Sequence, residues 1–195
     1  PDWEGRVVTT LISADKNRER DVAVLYVHGF VDYFFHPHMA DEFLGWGLDF
    51  YAVELRKYAH SLLPHQAPNI CRSTSEYLCD IDACISHVME QHPRTQWFVL
   101  VGHSTGGLIV TQYLMEGTHR ARCVAGVLNS PFLEFAQHKQ LAHLATKIAG
   151  PVCALNSHAC VKGAVAPQYA RSLHRIYGGQ WDFSLVFKPL DGFPA

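Results

Sequence analysis

Four near-continuous apolar runs punctuate the first two thirds of the chain: VAVLYV (22–27), LDFYAVEL (48–55), WFVLV (97–101) and VAGVL (124–128). Continuous rather than alternating hydrophobicity over so few residues is the pattern of strands covered on both faces. A weaker apolar run at 7–12 predicts one further strand, and the polar stretch DKNRERD (15–21) predicts a solvated turn. Between the runs lie helical patterns. Residues 38–44 read as a short helix closed by Gly45. Ser73 followed by Glu76 is a capping-box signature, after which Leu78, Ile81, Ile85, Val88 and Met89 recur at helical spacing until the His92-Pro93 break. Residues 108–115 form an apolar helical segment. Strands that alternate with helices and lack hairpin turns imply parallel βαβ units, hence an α/β fold. Such sheets bind ligands at the carboxyl ends of their strands.

Beyond Pro131 the rhythm is lost. Residues 132–148 are helix-like, 153–168 mix glycine, proline and small residues, 169–176 suggest another helix, and 178–195 are aromatic-rich and loop-like. The expected organisation is therefore a core at 1–131 and a cap-like or lid-like segment, truncated, at 132–195.

Composition narrows the function classes. With 195 residues and 48% hydrophobic content, one domain with a true core is expected. A net charge of −2 leaves no basic stripe for a phosphate backbone, so no nucleic-acid partner is expected. No apolar run approaches the ~18 residues of a membrane span, so no integral membrane segment is expected. The six cysteines form no C-x-x-C pair, which favours free thiols and a cytoplasmic location. His36 and His38 form an H-x-H with His60 and His65 downstream. Zinc ligation and ordinary loop histidines are both open there, and the absence of a second cluster favours the latter.

The chemistry is carried by Gly102-His103-Ser104-Thr105-Gly106, a G-x-S-x-G between the run WFVLV and an apolar helix. Strand, sharp turn and helix are the setting in which a serine hydroxyl stands clear of a sheet. The flanking glycines are needed because a Cβ there would strike the neighbouring strand or helix. The turn also places the Thr105 N–H at a helix N-terminus, facing a developing oxyanion. A second donor is expected from the loop after an earlier strand, where His28-Gly29-Phe30 follows VAVLYV. The Phe30 N–H is the candidate, with Gly29 letting the loop turn inward and His28 shaping it. A phosphate loop would need Gly-Lys-Ser/Thr and a dinucleotide site G-x-G-x-x-G, and neither is present around Ser104.

HGF, ELRKYAHS, GHSTGG and LNSPFLEF, each following one of these strands, resemble the α/β-hydrolase superfamily, in its lysophospholipase, monoacylglycerol-lipase and serine-aminopeptidase-like branch. The resemblance covers about residues 5–135. It implies an α/β-hydrolase fold, a mostly parallel sheet flanked by helices, incomplete at its C-terminal end and with part of a cap. It also implies ester hydrolysis by Ser104 as nucleophile, with the Phe30 and Thr105 N–H groups as oxyanion hole. No cofactor or metal is needed for that chemistry. A small-molecule ester or lipid-like substrate is expected, since no acidic cluster near the HG loop suggests capture of a peptide amino terminus. The aromatic residues Tyr33, Phe34 and Phe35, with Trp181, Phe183, Phe187 and Phe193, are equally consistent with an acyl pocket and with ordinary core.

The serine needs a histidine base and an orienting acid, in the chain order Ser, Asp/Glu, His. Asp182 and Asp191 are followed by no histidine. Glu134 precedes several, but no late strand carries a histidine toward it. The expectation is a fragment lacking the triad acid and histidine. The rival reading is a non-catalytic α/β-hydrolase-like binding protein.

Overall fold

The computed structural model describes residues 1–14 and 20–133. The expectations for a cap at 132–195, for Glu134, for the aromatic tail and for most of the 15–21 turn therefore lie wholly or largely outside the described residues. Among the described residues five strands form one sheet: β1 (Thr10–Ser13), β2 (Val22–Val27), β3 (Asp49–Glu54), β4 (Trp97–His103) and β5 (Cys123–Asn129). Three α-helices accompany them among the described residues: α1 (Pro37–Gly45), α2 (Ser75–Gln91) and α3 (Thr105–Glu116). The spatial order is β1-β3-β2-β4-β5. Strands β2 to β5 run parallel, whereas β1 lies antiparallel on β3, Thr10 facing Glu54.

The continuous apolar runs arise because helices cover both faces. Along β2, Ala23, Leu25 and Val27 pack with Ile81, Ile85, Ile109, Val110 and Tyr113 of α2 and α3. The alternate residues Val24 and Tyr26 pack with Ala40 and Phe43 of α1 and with Phe50 of β3. Each side of the strand thus faces apolar atoms, and a side chain fully buried in this way stabilises the fold by about 1.5–3 kcal/mol. Phe34 joins this second cluster, 5.6 Å from Tyr26 and 5.2 Å from Phe50 between ring centroids. It is core. At the sheet edge formed by the described residues, β5 leaves Val124, Val127 and Leu128 exposed.

Two sequence expectations need correction. The first strand spans Thr10–Ser13 rather than 7–12, because only that stretch reaches the β3 ladder. Helix α2 begins at Ser75, not Ser73. The Ser73 hydroxyl accepts the Ser75 N–H at 3.2 Å, which makes a turn two residues wide, and the Glu76 carboxylate takes the Arg72 N–H. The capping groups are as expected, but their reach is not that of a capping box.

Candidate active site

Ser104 sits between β4 and α3 with φ +52° and ψ −117°. A non-glycine residue at positive φ costs of order 1–3 kcal/mol and persists only where its surroundings over-determine it. Here the constraints are visible. The Ser104 N–H donates to the Asn129 carbonyl at 3.0 Å, and the Ser104 carbonyl accepts from Gly107 N–H at 2.9 Å and Phe132 N–H at 2.8 Å. The turn is therefore tied to the end of β5 as well as to its own helix.

The flanking glycines are dictated by close backbone approach. A Cβ on Gly102 would lie 2.5 Å from the Gly106 carbonyl oxygen and 2.7 Å from Gly107 Cα. A Cβ on Gly106 would overlap the Val27 carbonyl and come within 2.5 Å of the His28 oxygen. The first turn of α3 thus presses directly against the loop that leaves β2. In the sheet β2 and β4 are neighbours, with Val27 opposite Gly102, so the two loops emerge side by side. Ser104, Thr105 and the loop carrying Phe30 are brought together by this pairing. Thr105 is the first residue of α3, where N–H groups have no carbonyl one turn back. Phe30 is 43% exposed, so it lies at the surface rather than in the core.

Backbone strain concentrates at this end of the sheet. Val31 (φ 52°) follows β2, Lys57 (64°) and Ala59 (38°) follow β3, Ser104 follows β4, and Ser130 (47°) follows β5. Every parallel strand is succeeded by a left-handed non-glycine residue, at the face where such sheets hold their ligands.

His28 is wholly buried, and its role is structural. Its Nδ1 faces the Gly29 carbonyl at 2.8 Å, and its Nε2 accepts the Leu55 N–H at 3.1 Å. That pattern is met by a neutral ring with the proton on Nδ1. Burial holds its pKa below the ordinary imidazole value. His28 therefore ties the end of β2 to the end of β3 and shapes the loop, as its sequence position suggested.

Around the site, ELRKYAHS is an unexpectedly dry segment. Glu54 is fully buried and its carboxylate accepts the His60 N–H and faces His60 Nδ1 at 2.9 Å. Arg56 is paired twice with Asp80, Nη2 to Oδ1 at 2.7 Å and Nε to Oδ1 at 3.0 Å. Lys57 is fully buried, 2.6 Å from Asp2, with its ammonium 3.5 Å from the Trp3 ring centre.

The four described cysteines, Cys71, Cys79, Cys84 and Cys123, are free. Burial pushes the Cys84 thiol up to about 12 and the Cys123 thiol to about 11, so neither supplies a thiolate near neutral pH. Among the described residues no group of three or more histidines, cysteines and carboxylates converges as a metal site. His36 of the H-x-H instead stacks on Phe35, 3.9 Å between ring centres. Among the described residues no helix is long and apolar enough to cross a membrane.

Of the histidines that follow Ser104, His119 is committed to Ser86, 2.8 Å from its hydroxyl. His138, His143, His158 and His174 lie outside the described residues, as does Glu134. Sequence reasoning missed Asp32, which holds the HG loop, and its partner His103. The available signal was a lone carboxylate inside the aromatic run FVDYFF.

A mostly parallel sheet in which the interior strand β4 leads into a strained serine, backed by a helix and faced by an HG loop, defines an α/β hydrolase. Residues 18–172 match the family model described as serine aminopeptidase, S33, and the chain belongs to that family. Solved structures share the fold. A thermostable carboxyl esterase from Bacillus coagulans is 18% identical, with 97% of this chain and 57% of that one covered at a TM-score of 0.58. A soluble variant of monoglyceride lipase from Saccharomyces cerevisiae is 17% identical, with 76% and 48% covered at 0.56. The thioesterase domain of the curacin biosynthetic pathway is 20% identical, with 73% and 49% covered at 0.53. The chain thus spans roughly half the length of these structures. No curated protein matches it.

Proposed function

We propose that the protein is a serine hydrolase of carboxylic esters, small acyl or lipid-like, acting through an acyl-enzyme on Ser104. The observation that carries this reading is Ser104 at φ +52° at the end of β4, with the loop after β2 packed against the first turn of α3. In the reaction the Ser104 Oγ attacks the ester carbonyl carbon while a histidine takes its proton. The carbonyl oxygen becomes an oxyanion, held by the Phe30 and Thr105 N–H groups. Collapse expels the alcohol, which takes the proton back, and water then releases the acid by the reverse sequence. The base and its acid are assigned to segments outside the described residues, and residues 132–195 to a cap over this face. An ester is preferred to a peptide because the carboxylate nearest the HG loop, Asp32, already accepts from two backbone N–H groups and faces a histidine. It has little capacity left for a substrate ammonium.

The test is labelling of a form of the protein that includes the catalytic acid and histidine with a fluorophosphonate probe, followed by turnover of a series of esters of graded acyl length. Modification at Ser104 that disappears in Ser104→Ala supports the enzyme. A folded protein that takes up no label is instead the non-catalytic binding protein, and faster turnover of aminoacyl amides than of any ester rejects the substrate class.

A further inference from the structure

The loop between β2 and α1 contains one carboxylate, and the mechanism above leaves it unused. Asp32 is turned inward, its side chain 16% exposed. Its Oδ2 accepts the Gly29 N–H at 3.0 Å and lies 3.3 Å from His103 Nδ1, and its Oδ1 accepts the Tyr33 N–H at 2.8 Å. One oxygen therefore holds both the residue before Phe30 and the residue before Ser104. Gly29 marks the meeting point, since a Cβ there would lie 3.3 Å from His103 Nδ1, 3.3 Å from Ser104 Cβ and 3.4 Å from Asp32 Oδ2.

The loop has need of such a tether. Phe30 and Val31 are both exposed, so apolar burial does little to fix them. Val31 is β-branched and sits at φ +52°, a conformation that relaxes unless something prevents it. Hydrogen bonds from backbone N–H groups to an ionised carboxylate are roughly twice as strong as neutral ones. Asp32 makes two of them, on either side of the strained segment.

We propose that Asp32 is a positioning residue that clamps the oxyanion loop to the nucleophile turn through Gly29 and His103, setting the distance between the Phe30 and Thr105 N–H groups. The inference rests on the serine-hydrolase reading given above. Asp32 touches neither the substrate nor the reacting atoms. Its effect is on the transition state, because the two donors matter most once charge has formed on the carbonyl oxygen.

The experiment uses the same form of the protein, with its acid and histidine, unaltered and with Ser104→Ala, Asp32→Ala, Asp32→Asn, His103→Gln and the Asp32→Ala/His103→Gln double variant. Turnover of a short-chain p-nitrophenyl ester is measured per competent site, counted by fluorophosphonate end-point labelling. A donor displaced by about 1 Å costs on the order of 10²-fold in rate, so kcat of Asp32→Ala falls by about that factor with KM held within about twofold. Asp32→Asn keeps one acceptor oxygen and falls between. His103→Gln loses kcat by about tenfold, and the double variant is no slower than Asp32→Ala, because the pair acts as one unit. A kcat per competent site within about twofold of the unaltered protein in Asp32→Ala overturns the proposal, as does full additivity in the double variant. If Asp32→Ala does not fold, His103→Gln and Asp32→Asn decide, and an unchanged kcat in both overturns it. Inactivity of the unaltered protein, indistinguishable from Ser104→Ala, instead removes the hydrolase reading and this inference with it.

Discussion

Gly106→Ala is the most direct probe of how tightly the two halves of the site are pressed together. The added methyl carbon would lie 2.5 Å from the His28 oxygen and 2.8 Å from the Val27 carbonyl carbon, and closer still to the Val27 oxygen. An ordinary carbon–oxygen contact is about 3.3–3.6 Å, so α3 and β2 must separate by roughly 1 Å. Both partners are backbone, and no rotamer change relieves the overlap. Overpacking of this kind costs about 1–3 kcal/mol or more. At about 2–4 °C per kcal/mol for a domain of this size, Tm falls by roughly 2–12 °C. The same shift moves Thr105 away from the HG loop, so Ser104 labelling by a fluorophosphonate slows on the order of 10²-fold. Gly45→Ala is the matched control, because a Cβ at the end of α1 has nothing within 4 Å. It leaves Tm unchanged or raises it by the equivalent of about 0.5–1 kcal/mol. Thermal melts and labelling time courses of the two variants, side by side, measure both effects. A Gly106→Ala protein that melts within about 1 °C of the unaltered one and labels at the same rate refutes the close approach.

Asp80→Ala strands the Arg56 guanidinium in a pocket where its side chain is 9% exposed, and urea unfolding should show a loss of about 3–5 kcal/mol. His28 makes stability depend on pH. Its folded pKa is held below the ordinary value, chiefly by burial, while the unfolded chain binds the proton at about 6.5. Between those two values the unfolded state holds more protons, so stability is full above about pH 6.5 and falls as pH drops toward the folded pKa. The urea midpoint should decline from pH 7 to 5, and His28→Asn should flatten that slope. His36, whose pKa burial also lowers, accounts for a remaining slope, and an unaltered slope in His28→Asn contradicts the buried neutral ring.

Four of the five described strands were legible as continuous apolar runs. For β2 and β3 the reason is burial on both faces, which calls for apolar residues at nearly every position, as in VAVLYV. By contrast, β5 is apolar yet exposed among the described residues. The sharp turn at Ser104 was legible because its pattern is short. Its constraint is local, two glycines and a serine within five residues, and no other residue types fit the close approaches found at Gly102 and Gly106. The start of α2 was misread by two residues because serine hydroxyls and a nearby glutamate satisfy backbone donors in more than one register. The short β1 was misplaced because its limits are set by the β3 ladder rather than by its own hydrophobicity.

ELRKYAHS illustrates the opposite case. Read as sequence it is a charged loop, yet Glu54, Arg56 and Lys57 are all buried. Their burial depends on partners far along the chain: Asp80 lies 24 residues from Arg56, and Glu4 lies 53 from Lys57. Asp32 and His103, separated by 71 residues, meet only because β2 and β4 are neighbours in the sheet.

By itself, then, the sequence determined the alternation of strands and helices, the placement of Ser104 on a strained turn and the family to which the chain belongs. Each is written in patterns only a few residues long. Only the tertiary structure decided the strand order, the antiparallel β1, the burial of the charges after β3 and the meeting of Asp32 with Gly29 and His103. A charge can leave water only when an opposite charge or a hydrogen-bond donor is delivered to it, and chain topology makes that delivery.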